Sequence, residues 1–149
     1  MKTLKMFVGL KIPDTTAITA LNTLKRMGYS SVGKLERFQY YEFTCANPEL
    51  LTDRLAKIDI LVNANKNYAI VGTESHEEGF TYLLVKNKGE THEGLLSTLQ
   101  NRLGLKEIQS VSVGTLWKMH IVDPDPKKVA EEVAKELLAS PHYQEVVVL

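Results

Sequence analysis

The chain has one cysteine, one tryptophan and no net charge across 149 residues, and none of its apolar runs approaches membrane-spanning length. Each shortage excludes something. A lone thiol, Cys45, cannot form an internal disulfide framework, so a reducing cytoplasm is the expected compartment. A spanning helix needs about 20 apolar residues, so no membrane segment is expected. The opening MKTLKMFVGLKIPD goes directly into a strand-like run and lacks the cleavage pattern of a signal peptide. Eighteen basic residues balance eighteen acidic ones, which argues against nucleic acid as a partner. Residues 1–74 carry three more basic than acidic groups and residues 75–149 the reverse. Opposite signs favour docking of the halves, but screening keeps that contribution small.

Reactive constellations are equally scarce. The chain has no G-x-x-x-x-G-K-[ST] phosphate loop and no G-x-G-x-x-G turn. Cys45 ends an apolar strand, where a free cysteine is usually a small buried hydrophobe, and no base stands near it in sequence. His76, His92, His120 and His142 lack metal-ligand spacing. His76 stands beside Glu77 and Glu78 in a polar stretch that reads as a solvated loop. Asp123 and Asp125 read as helix caps, and Glu131 and Glu132 as a solvated face. No catalytic, cofactor or metal residues are therefore assigned, and no cofactor of the chain's own is expected.

What the chain does have is internal recurrence. LVNANKNYAIV at 61–71 recurs as LLASPHYQEVV at 137–147, an offset of 76 residues. The same offset carries Met27-Gly28 onto Leu103-Gly104, Tyr41 onto Trp117, Phe43 onto Met119 and Pro48 onto Pro124. A fixed spacing of this kind marks two copies of one supersecondary unit. Each copy, about 75 residues, buries too little surface to be secure alone. Packing one against the other remedies that.

Periodicity supplies the elements. Lys5–Lys11 reads as a strand ended by Ile12-Pro13-Asp14. Asp14, Thr15 or Thr16 can cap a helix bearing Ile18, Leu21, Leu24 and Met27, with Gly28 at its exit. Val32–Cys45 is a long strand. Asn47-Pro48 opens a helix striped by Leu51, Leu55, Ile58 and Val62. Tyr68–Val71 closes the first copy. The second copy repeats the order: strand Tyr82–Val85, a helix with Leu95, Leu96, Leu99 and Leu103 closed by Gly104, and a strand alternating through Val111, Val113, Trp117, Met119 and Ile121. A helix with Val129, Val133 and Leu137 follows, flanked by Ala130, Ala134 and Leu138, with Glu131 and Lys135 as an i,i+4 pair. Glu145–Leu149 is the last strand. The expected class is α+β: two tandem β-α-β-α-β repeats, 1–73 and 79–149, joined by a linker at 74–78. They are expected to pack as a pseudo-twofold pair of helix-covered, mostly antiparallel sheets.

The long strand of the first copy breaks the pattern. On the face matching Val113, Thr115 and Trp117 it places Arg37, Gln39 and Tyr41, while Phe38 and Tyr40 take the other face. Either both faces are covered there or a bulge shifts the phase. An ordinary irregular strand and a strand that meets a partner explain this equally well. Arg37, Phe38 and Tyr40 are the candidate partner-facing residues.

The segments also resemble a known family. VSVGTLWKM (Val111–Met119), the acidic helix ending LLASP (Leu137–Pro141) and the closing VVVL (Val146–Leu149) are similar to the small PurS subunit of phosphoribosylformylglycinamidine synthase. The first copy adds the strand ending Leu10-Lys11, the helix exit Met27-Gly28-Tyr29 and the strand segment Tyr40-Tyr41-Glu42-Phe43. The chain departs from the family where the strand arginine falls on Glu36 and Ser112 and the lysine on Gln39 and Thr115. Arg37 substitutes for the arginine if the strand is bulged. The resemblance implies a non-catalytic cytoplasmic subunit of purine biosynthesis. Such a subunit joins a glutaminase subunit to an ATP-dependent synthetase subunit so that ammonia passes between them. Large single-chain synthases carry a similar fused pair at their N-terminus. The chain would then be an internal pseudo-dimer, free to form a further homodimer. A tandem ACT-like small-molecule sensor is the alternative, and an enzyme using Cys45 a third reading.

Overall fold

β1 (Lys2–Leu10), α1 (Thr15–Arg26), β2 (Val32–Cys45), α2 (Pro48–Leu55) and β3 (Asn67–Gly72) follow one another in the first half of the chain. The second half runs β4 (Thr81–Asn87), α3 (Glu93–Ser97), β5 (Ile108–Ile121), α4 (Pro126–Val133) and β6 (Gln144–Val148). α3 and α4 each continue into one wide π-helical turn, Thr98–Arg102 and Ala134–Leu138. This computed structural model describes residues 1–72 and 77–149, so His76 and most of the expected linker at 74–78 lie outside the described residues. The β-α-β-α-β order occurs twice, as periodicity predicts. The class is α+β, and the described residues form four helices and one six-stranded antiparallel sheet in the order β3-β1-β2-β5-β4-β6.

Local chemistry accounts for the helix ends. The Asp14 carboxylate accepts from the backbone N–H groups of Thr16 and Ala17, satisfying two donors that the first turn of α1 leaves free. α2 and α4 both begin on proline, Pro48 and Pro126, where a missing N–H costs nothing. These starts lie 78 residues apart, two more than the sequence offset, because α4 begins at the second proline of Asp123-Pro124-Asp125-Pro126. Gly28 and Gly104 have φ of 101° and 72°, the left-handed geometry that ends a helix without a Cβ clash.

The described residues form two compact units, and neither follows the halves of the sequence. Unit 1 comprises residues 1–11, 39–72 and 89–113. It contains β1, β3, the C-terminal part of β2, the N-terminal part of β5, and α2 and α3. β1 pairs with β2 from Lys2↔Cys45 to Val8↔Gln39 and with β3 from Lys5↔Gly72 to Leu10↔Asn67. Its core joins Leu4, Met6, Tyr41, Phe43, Leu51 and Leu55 from the first half with Leu99, Leu105 and Ile108 from the second.

Unit 2 comprises residues 12–38, 77–88 and 114–149. It contains α1, α4, β4, β6 and the remaining parts of β2 and β5. β4 pairs with β5 from Thr81↔Met119 to Val85↔Thr115 and with β6 from Leu83↔Val148 to Asn87↔Gln144. Its core joins Ala17, Leu24, Val32 and Leu35 with Leu83, Trp117, Met119, Ala130 and Val133. Trp117 is buried, as expected from its alternation with Met119.

Several helix faces are rotated from expectation. Ala17 and Leu24 are the buried residues of α1, while Ile18 and Met27 are exposed. In α4 the core side is Ala130, Val133 and Ala134, and Leu137 is turned outward at 37% exposure. The wide turn closes with the Ala139 N–H donating to the Ala134 carbonyl, five residues back. That extra residue rotates everything after Val133 relative to an α-helical stripe. α2 ends at Leu55, and turns rather than helix bring Ile58 and Val62 to the core of unit 1. Glu131 and Lys135 do not form the expected ion pair.

Candidate functional site

Tyr40 and Phe38 were expected as exposed, partner-facing rings, and both are buried. Tyr40 is 1% exposed and Phe38 7%. Tyr40 stacks on Phe7 of β1 with ring centroids 5.7 Å apart, and its hydroxyl donates to the Glu42 carboxylate at 3.1 Å. Tyr41, next along β2, lies in the core of unit 1. The β1–β2 register runs through Gln39–Cys45 without a slip, so this stretch has no bulge: both faces of β2 are covered there. Alternation breaks earlier. Val32 and Leu35, three residues apart, both reach the core of unit 2. A strand period of two does not by itself put both on one face.

Arg37 has a partner within unit 2. Its guanidinium forks onto Asp14, with Nε 3.0 Å from Oδ2 and a terminal nitrogen 3.2 Å from Oδ1. Bidentate geometry makes this one of the stronger kinds of ion pair. The same carboxylate caps α1, so one residue ties the helix start to β2. About a third of the Arg37 side chain remains accessible.

A polar cluster that the sequence did not signal lies at β5. The Lys118 ammonium contacts the Glu77 carboxylate, stands 3.6 Å from Glu36, and sits 4.3 Å from the Phe80 ring centroid. Burial alone would lower the Lys118 pKa. The hydrogen bond to Glu77, with Tyr82 and Glu36, outweighs burial and raises it. A lysine held protonated in this way is a tether rather than a base or nucleophile. Its partners stand 41 and 82 positions away in sequence, which is why no local motif marks it. His120 tilts against the same Phe80 ring.

Cys45 is fully buried in unit 1. Burial, then Glu107 and Glu49, push its thiol pKa up. A raised pKa depletes the thiolate, the form that attacks electrophiles, so the enzyme reading based on Cys45 loses its nucleophile. No helix among the described residues is long and apolar enough to cross a membrane.

Unit 2 also holds two surface cavities. One, of about 430 Å³, lies between α1 and the end of α4, walled by Thr15, Thr19, Thr23 and Leu138 over Trp117. The other, of about 390 Å³, lies between the wide turn of α4 and β6. Its floor is Ala134, Ala139, Val146 and Val148, and its rim includes Lys88, Lys135 and Glu131. Both volumes fall at the low end of ligand sites, about 300–1,000 Å³.

No protein-family model matches the chain, and no curated protein matches it significantly. The resemblance to the PurS subunit therefore rests on its short sequence segments alone.

Proposed function

We propose that the chain is a non-catalytic bridging subunit of a glutamine-dependent phosphoribosylformylglycinamidine synthase, acting in purine biosynthesis in the cytoplasm. It would join the glutaminase and synthetase subunits so that ammonia released at one site reaches the other. In this reading the two β-α-β-α-β copies stand for a pair of small subunits fused end to end, related by a pseudo-twofold axis. The single observation that carries it is the element order. The family-like segments fall on β5, the end of α4 and β6 in the second copy, and on the end of β1, the exit of α1 and β2 in the first. Each core also draws on both copies, as in an obligate dimer whose shared core survives gene fusion. Arg37, with its accessible edge, is the foremost partner contact on β2. Phe38 and Tyr40 contribute by holding the strand that presents it.

The test is turnover of the reconstituted synthase with glutamine and with ammonium, with and without this chain. Glutamine-dependent turnover should require the chain. Ammonium-driven turnover should survive its omission, because bulk ammonia needs no route between sites. Equal glutamine-dependent rates in its absence overturn the proposal. One observation favours the alternative, a small-molecule-sensing module: the apolar-floored cavity of unit 2, bordered by charged groups.

A further inference from the structure

The cavity between α4 and β6 has walls that the chain builds with some care. The turn 139–144 is tied down on every side. The Ser140 N–H donates to Gln144 Oε1, and Gln144 Nε2 donates to Asn87 Oδ1. The Lys88 N–H donates to the Tyr143 carbonyl, and Lys88 Nζ donates to the Pro141 carbonyl at 2.9 Å. The Lys88 head is thereby held at the rim, with two of its three donors still to be used. Lys135 reaches the same cavity from the wide turn of α4 and forms no ion pair among the described residues. Ala134, Ala139, Val146 and Val148 supply the aliphatic part of the lining, with Pro141 and Gln144 beside them.

Charge narrows the ligand. Lys88 and Lys135 face the cavity with Glu131 beside them. Glu145 also borders it, but on the strand face away from Val146 and Val148. Two ammonium groups favour an anion, and the neighbouring Glu131 carboxylate penalises a dianion. The lining has no aromatic ring for stacking, and its amide side chain, Gln144, is already engaged by Ser140 and Asn87. We propose that this cavity binds a small aliphatic monocarboxylate, its carboxylate between Lys88 and Lys135 and its hydrocarbon body on Ala134, Ala139, Val146 and Val148. The site lies wholly within unit 2 and stands independently of the bridging function, since a bridging subunit can also carry an effector site.

Amide NMR of the full chain, titrated with isocaproate, L-leucine, leucinol and inorganic phosphate, tests this. Isocaproate should shift Ala139, Val146 and Val148 saturably, and leucinol and phosphate should not. L-leucine distinguishes the two sources of such a carboxylate. Tighter binding than isocaproate assigns the site to amino acids, with Glu131 receiving the α-ammonium. Weaker binding assigns it to simple aliphatic acids. Lys135→Gln should weaken isocaproate about tenfold, the loss of one charge-assisted contact. Ala139→Leu should fill the cavity and abolish binding. If that variant does not fold, Lys88→Gln serves beside Lys135→Gln, both being surface changes. Absence of shifts at millimolar isocaproate, equal shifts with leucinol or phosphate, or affinity unchanged in both lysine variants would overturn the proposal.

Discussion

Tyr40 carries a hydroxyl into a place with almost no solvent, and one acceptor, Glu42, receives it. Desolvation first, then the charge and hydrogen bond of Glu42, push its pKa well above the ordinary 10.0. The linkage has a definite sign. Below 10.0 the phenol is neutral folded or unfolded, and the stability it contributes is fully present. Above that value the unfolded chain ionises while the folded one resists, so stability falls as pH climbs toward the folded pKa. Tyr40→Phe should make alkaline stability fall less steeply, at a cost of about 1 kcal/mol at neutral pH for the lost hydrogen bond. Urea denaturation of both proteins on either side of pH 10.0 measures this. An identical alkaline slope in the variant would show that the phenol ionises freely. Tyr40 also explains the irregular sequence of its strand, which reflects two covered faces, one with Tyr40 and the other with Tyr41.

Among the elements, α1 is the one whose start is fixed twice. Asp14 caps it and also receives the fork of Arg37 from β2. Loss of the cap alone typically costs about 0.5–2 kcal/mol. Asp14→Ala should therefore destabilise by more than Arg37→Ala, which leaves the cap in place. A double-mutant cycle should give a coupling of about 0.5–1 kcal/mol, modest because the guanidinium is partly solvated. Zero coupling would mean that the pair positions nothing. The helix ends at Asp14, Gly28, Pro48 and Gly104 were all legible in the sequence, because a cap is a conversation between residues a few positions apart. The wide turns after α3 and α4 were not legible. They depend on packing, and they move Leu137 off the buried face that its spacing implied.

At the scale of the molecule, repeat and compact unit are different things. The element order repeats along the chain, while each core is assembled from both halves. A fragment of residues 1–72 lacks Leu99, Leu105 and Ile108, three fully or almost fully buried side chains of unit 1. Each missing large apolar side chain costs on the order of 2–5 kcal/mol, comparable to the whole stability of a small domain. The fragment should not unfold cooperatively by itself. Mixed with residues 77–149 it should recover native-like spectra, because each piece supplies what the other core lacks. Cooperative unfolding of 1–72 alone, with the stability of the intact chain, would show that unit 1 does not need the second half.

The sequence by itself determined what short range can encode: ten helices and strands in order, the caps, the glycine exits and the proline starts. It also placed Trp117 and Met119 inside, since strict alternation on a strand reports burial over a few residues. The tertiary structure decided everything that depends on which distant segments meet. It joined Leu99 and Ile108 to Leu4 and Met6, gathered Lys118 with Glu36 and Glu77, buried Phe38 and Tyr40, and set two lysines over four aliphatic floor residues. Strand pairing brings together residues dozens of positions apart, and no local periodicity carries that information.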